Sequence, residues 1–294
     1  MAKPIYVIKA SGHTERFNPQ KIKNTCLRSG ADEELSDKIV REVRAKVYNG
    51  ITKQEILQMT LRLLGKVHPV VAAKYDLKGA MLRLGPAGFA FESFFAEVLK
   101  EYGYKTKTHQ MIQGSCVIHE IDAVASMLPK SGYGRARVYM IENKYHNVQG
   151  IHTGLKETLY TYARFLDLRD GFKMGKCQKF DQPWLACNTK FSSDAEQYAR
   201  CKNIRLTGWN YPVGKSLENL ILDKKIYPIT VLPSIGRFNL GRFAKKGLLL
   251  ARDLLPYSAQ DFNREFGLPA KDAEKISAEN FAIAKMINKN VPLN

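Results

Sequence analysis

The chain has 294 residues, is 45% hydrophobic and 25% charged, and carries a formal net charge of +18, enough length for two or three domains. The basic excess is spread along the chain rather than gathered in a tail, which favours polyanionic partners such as nucleic acid. No run approaches membrane-spanning length, no charged-then-apolar leader opens the chain, and the five cysteines contain no Cys-x2-Cys pair; together these point to a cytoplasmic protein with reduced thiols, no membrane partner and no zinc ribbon.

The first residues alternate as a short strand (residues 5–8), turn at Gly12, form a second short strand, and enter a helix with Asn18 as N-cap and Pro19 at its first position. Lys9, Arg16 and Lys21 cluster around that turn and helix start, and positive side chains beside a helix N-terminus make a natural phosphate site. Helices are expected over residues 35–48, from the capping box Thr52-Lys53-Gln54-Glu55 onward, and over residues 70–84, where Leu84-Gly85-Pro86-Ala87-Gly88 breaks the chain. No Gly-x4-Gly-Lys-(Ser/Thr) loop is present, so nucleotide hydrolysis is not implied.

This opening resembles the ATP-cone, a small nucleotide-binding regulatory module. The family's usual opening, Val-x-Lys-Arg-x-Gly followed by Phe-(Asn/Asp)-x-x-Lys-Ile, is matched at Lys9, Gly12, Phe17, Asn18, Lys21 and Ile22, with Ala10 in place of the common Arg. The resemblance implies ATP or dATP as a regulatory ligand, bound at Lys9, Arg16, Asn18 and Lys21.

In the middle of the chain Phe91, Phe94, Phe95, Val98 and Leu99 have helical spacing, Gly103 is a C-cap candidate, and Glu92 lies on the same helix. Two apolar runs follow, one ending in Asp122 and the other in Glu142-Asn143-Lys144. A strand has a side-chain period of two, so Glu142 and Lys144 share a face, and Asp122 sits beside them if the strands pair. Two carboxylates so held attract a hard divalent cation such as magnesium, and a neighbouring lysine can orient or deprotonate a water. A strand and turn (185–191), a helix (193–199) and another strand (204–209) come next.

The segment from Gly88 to Trp209 resembles the restriction-endonuclease-like (Mrr-type) nucleases in its order of helix with Glu, hairpin with Asp and Glu-x-Lys, and strand-helix-strand tail. That resemblance implies Asp122, Glu142 and the Asn143 backbone carbonyl as ligands of Mg2+ or Mn2+, Lys144 as the catalytic lysine, and Glu92 as a supporting acid. Glu120 reads as a surface residue, His146 as structural, and Lys156 as a phosphate-contact candidate. His109, His119, His146 and His152 are too widely separated to suggest a zinc set, and Trp184 and Trp209 read as packing residues.

The C-terminal part is expected to hold a short helix (216–222), an extended stretch (227–232) and two glycine hairpins, over residues 240–248 and 262–276. The hairpins resemble helix-hairpin-helix modules, whose backbone amides touch DNA phosphates; a plain helical bundle with glycine C-caps explains them equally well.

The expected fold is thus a multi-domain α/β chain: a small α+β ATP-cone-like domain over residues 1–86, a restriction-endonuclease-like mixed sheet flanked by helices over 87–212, and a helical C-terminal segment over 213–294. The expected function is metal-dependent DNA endonuclease, regulated by ATP or dATP, with DNA and nucleotide as partners and homo-oligomerisation left open. The alternative is a nucleotide-responsive DNA-binding regulator with an inactive nuclease fold.

Overall fold

In the computed structural model, which describes residues 4–85, 89–129, 131, 134–148 and 150–287, the N-terminal strands close as their alternation requires. β1 (Tyr6–Ile8) pairs antiparallel with β2 (Thr14–Arg16), and Gly12 makes the turn at φ +80°. α1 (Pro19–Arg28) starts as expected, with the Asn18 side chain accepting the Gln20 N–H. α2 (Glu33–Arg44) follows, then β3 (Ile51–Thr52), which adds parallel to β1. The Thr52–Glu55 capping box opens α3 (Lys53–Val67). Val7, Ile22, Cys26, Ile39, Val43 and Leu64 are buried together beneath these elements.

The single helix expected over residues 70–84 is instead two, α4 (Pro69–Tyr75) and α5 (Leu77–Leu82). The helix breaks at Asp76, which leaves the helical region at ψ +19° and caps α4. The glycine-proline break after Leu84 falls partly on residues 86–88, outside the described residues.

The central elements run in order α6 (Phe89–Glu101), β4 (Lys105–Gln113), β5 (Ile118–Met127), β6 (Arg137–Lys144), β7 (His152–Thr153), α7 (Leu155–Lys173), β8 (Gln182–Cys187), β9 (Lys190–Phe191), α8 (Ser193–Lys202) and β10 (Arg205–Thr207). They build a five-stranded mixed sheet in the order β10-β8-β6-β5-β4, antiparallel on the β4–β5–β6 side and parallel from β6 to β10. β6 separates two packing layers by its pleat. Val138 and Met140 lie with Phe165 and Leu168 of α7, whereas Tyr139 meets Trp184, which takes Phe95 of α6 edge-on. Gly103 ends α6 in the left-handed region, as expected of a C-cap.

After β10 the chain continues through α9 (Leu217–Lys224), α10 (Arg237–Ala244), α11 (Ala259–Phe266) and α12 (Ala270–Ile287). Residues 227–232 are not extended: Ile229–Val231 form a 3-10 turn, and only Pro228 makes a bridge, to Leu250. In the hairpin expected over 240–248, Gly241 sits inside α10 and the chain turns at Gly247 (φ +74°), after which Leu250 is extended. Gly267 does turn the chain, as the left-handed cap of α11.

The fold is multi-domain α/β, and its backbone gathers into two units. One comprises the described residues of Met1–Ala80, Ile229–Gly236 and Leu254–Asn294, the other Met81–Pro228 and Arg237–Asp253. The segment 213–294 is therefore divided between the two, because its long-range packing, such as Ser234 on Glu279 and Arg252 on Glu101, follows two different cores. Among the described residues no helix is long and apolar enough to cross a membrane.

One close approach fixes α7. A Cβ on Gly171 would lie 2.7 Å from the Gly114 carbonyl carbon and 2.9 Å from the Ser115 nitrogen. Backbone cannot yield as a side chain does, so Gly171→Ala is expected to destabilise the sheet-bearing unit by about 2 kcal/mol, read as a lower denaturation midpoint.

Candidate active site

The site forms where the β5–β6 ladder stops. The paired register runs from Met127–Arg137 to Ala123–Ile141, and one step further would set Asp122 opposite Glu142. There the pairing changes character, and the Asp122 carboxylate accepts the Asn143 N–H at 2.7 Å. On the other flank of β5, the paired residues Thr108–Ala123 and Gln110–Ile121 bracket His109, which sits in the left-handed region at φ +51°. Its Nδ1 is 3.5 Å from the Glu92 carboxylate on α6.

Across the same opening, α7 sends in Arg164. Its Nη1 donates to the Glu142 carboxylate and its Nη2 to the Glu120 carbonyl, and its side chain is 8% exposed. Arg164 was not expected from the sequence. A signal exists, since Thr158, Thr161, Arg164, Leu168 and Gly171 form the buried stripe of α7 at helical spacing. Three of those five residues are polar, so a search for apolar periodicity passes over it.

The electrostatics follow from crowding. Burial pushes Glu142 up to about 8, helped by the charges of Asp122 and Glu92 and opposed by Arg164 and Lys144. Burial likewise raises Glu92 to about 7, with Asp122 and Glu120 adding to it. Asp122 is also raised by burial, against the pull of the Asn143 N–H and Arg164. Asp122, Glu142, Glu92 and Lys144 thus lie within one another's field. Asn143 offers a second oddity: its side-chain amide is buried, and neither polar atom finds a partner among the described residues.

The exit of β6 is clamped. Asn188 accepts the His146 N–H at 2.9 Å and donates to the His146 carbonyl at 2.7 Å, while His146 Nε2 lies 3.1 Å from the Thr153 hydroxyl. Burial and Lys144 lower the His146 pKa. His119 is tied to Asp167 at 2.8 Å. Among the described residues no group of three or more His, Cys, Asp or Glu is placed to hold a metal ion.

In the N-terminal unit, Lys9 and Lys21 both reach Glu15 Oε2, at 3.0 and 3.1 Å, and hold its pKa down. Arg16 is exposed at the end of β2 and takes no part in that bridge. The helix start is self-capped, since Pro19 has no N–H, Gln20 N–H goes to the Asn18 side chain and Lys21 N–H to the Asn18 carbonyl. These first amides are therefore already engaged within the chain. Glu15, which the sequence reading passed over, is the group a phosphate would have to replace.

Residues 5–77 match the family model of the ATP cone domain. An uncharacterized protein of Archaeoglobus fulgidus is 45% identical over 184 residues, which is 63% of this chain and 96% of that protein. The crystal structure of AF1548, a protein of unknown function, is 41% identical and superposes with a TM-score of 0.55 over 68% of this chain and 98% of that one. The MspJI restriction endonuclease in complex with a 27-mer oligonucleotide superposes with a TM-score of only 0.30 at 11% identity, over 66% of this chain and 40% of that one, too loosely to carry an argument. The chain belongs to the family of the Archaeoglobus protein and carries an ATP-cone domain at its N-terminal end.

Proposed function

We propose that this protein is a metal-dependent DNA endonuclease regulated by ATP or dATP at its ATP-cone domain. The observation that carries the reading is the meeting of Asp122, Glu142, Glu92 and Lys144 where the ladder opens. Carboxyl groups driven above their ordinary range by burial and mutual repulsion are relieved by a cation, and an all-oxygen donor set suits magnesium or manganese. Asp122, Glu142 and the Asn143 backbone carbonyl would hold it, with the remaining ligands supplied by water and phosphate.

When bound, the cation supplies Lewis-acid stabilisation at a phosphoryl oxygen and a more acidic water. Lys144, on the same strand face as Glu142, orients the attacking water and places positive charge toward the phosphate. Glu92, pushed up to about 7, holds or releases a proton near neutrality. The Asn188 clamp keeps the end of β6, and with it Lys144, in place. A basic chain of net charge +18 supplies long-range attraction for DNA, with Lys156 on the first turn of α7 as a candidate phosphate contact.

One observation favours the rival, a DNA-binding regulator with an inactive nuclease fold: the Glu142 carboxylate is already bonded to a guanidinium. Plasmid nicking decides between the two. Wild-type protein is expected to cut supercoiled DNA with Mg2+ or Mn2+ and not with chelator. Lys144→Ala is expected to bind DNA almost unchanged and to cut about a hundredfold more slowly, the effect of losing roughly 3 kcal/mol of electrostatic or proton-transfer help. DNA binding by wild type, with no cut on plasmid, junction or single-stranded substrates with or without ATP, would replace the enzyme by the regulator.

The nucleotide reading has its own test. Calorimetry is expected to show ATP binding to wild type, at least about tenfold weaker in Lys21→Ala. Glu15→Gln frees both lysines and is expected to bind ATP up to about fivefold more tightly, the worth of an exposed ion pair. Tighter binding in Lys21→Ala, or none in wild type, would refute the assignment.

A further inference from the structure

We infer that Arg164 is a positioning residue that holds Glu142 beside Asp122 across the open end of the β5–β6 ladder. The inference rests on the nuclease reading for its consequence in cleavage, and on the geometry alone for the placement.

Beyond Ala123–Ile141 no further backbone pair joins the two strands in the register. Three polar links replace the ladder. The Asn143 N–H reaches back to Asp122, and the Arg164 fork joins the Glu142 carboxylate on β6 to the Glu120 carbonyl on β5. One guanidinium thereby spans both strands at the level of the two carboxylates. The planar fork matters, because a lysine ammonium is a single point charge and does not present two fixed donors to two strands.

Arg164 is itself held from behind. Its guanidinium lies 5.2 Å from the Tyr160 ring centroid, and it sits on the buried stripe of α7, whose far end is locked by the Gly171 approach to Gly114. Arg164 Nε finds no partner among the described residues, so the two Nη donors carry the orientation. A buried ion pair of this kind adds little to stability over an apolar replacement, while removing one partner leaves the other stranded. The arrangement therefore makes sense as a constraint on Glu142 rather than as a contribution to the core. Groups that orient a ligating side chain typically change metal affinity by about 10–100-fold when removed.

The test uses full-length wild type, Arg164→Met, Arg164→Lys, Glu142→Gln and the double variant Arg164→Met/Glu142→Gln. Mn2+ is the probe, followed by electron paramagnetic resonance, with plasmid cleavage in parallel. Both single Arg164 substitutions are expected to weaken Mn2+ binding at least about tenfold, and where DNA is cut, to lower kcat with KM for DNA little changed. In the Glu142→Gln background, Arg164→Met is expected to have no further effect on Mn2+, because its action passes through Glu142. Arg164→Lys keeps the test open if the methionine variant fails to fold. Unchanged or tighter Mn2+ binding in both substitutions would overturn the inference, as would an equal loss in the Glu142→Gln background. Wild type that binds Mn2+ with this pattern yet leaves DNA intact would sink the nuclease reading and leave the role of Arg164 standing. Wild type that binds no Mn2+ overturns both.

Discussion

The mutual repulsion of Asp122, Glu142 and Glu92 in a partly dry opening of the sheet is the constraint around which the central unit is arranged. Carboxyl groups so placed are costly unless something positive sits among them. The ladder ends one residue short of the pair. Arg164 from α7 and Lys144 from β6 supply the compensating charge, and α6 delivers Glu92 from the opposite layer. The close helix-to-hairpin contact at Gly171 and the Asn188 clamp on the exit of β6 fix the two elements that carry those cations.

Both candidate sites share a further property: their key charges already have partners within the chain. Glu15 occupies the two lysines of the N-terminal unit, and Arg164 occupies Glu142. The two pairs differ in strength. Lys9 and Lys21 are 40% and 60% exposed, so their bridge to Glu15 is screened by water and yields readily, whereas the Arg164–Glu142 pair is enclosed and set in place by its helix. On the proposed reading, an anionic ligand would displace the first pair readily, and a cation would be accommodated around the fixed guanidinium of the second.

What the sequence disclosed follows from the range of the interactions involved. Glu142 and Lys144 were legible as one strand face, and Glu92 as part of an aromatic helix, because each depends on a local period. The Asn18 and Thr52 caps were legible for the same reason. Arg164 was not, since it lies 22 residues beyond its partner and on a stripe of threonines that has no apolar signature. Glu15 escaped notice because only closure of the hairpin brings it onto Lys9. β3 is two residues long, too short for any period, and takes its conformation from pairing with β1. The apparent strand over 227–232 failed where packing overrode local preference, since Ile229–Val231 are buried in a 3-10 turn. The ATP-cone match over residues 5–77 agrees with the motif at Lys9, Gly12, Phe17, Asn18, Lys21 and Ile22, where many short signals concur.

The central claim is that Asp122 and Glu142 together hold a divalent cation. Anomalous diffraction from crystals of the wild-type protein grown with Mn2+ addresses it directly. The account requires one strong anomalous peak within coordinating distance of both carboxylates, with Lys144 facing the same space. Full occupancy of Mn2+ elsewhere on the protein, with no peak between Asp122 and Glu142 and the Arg164–Glu142 pair intact, would contradict it.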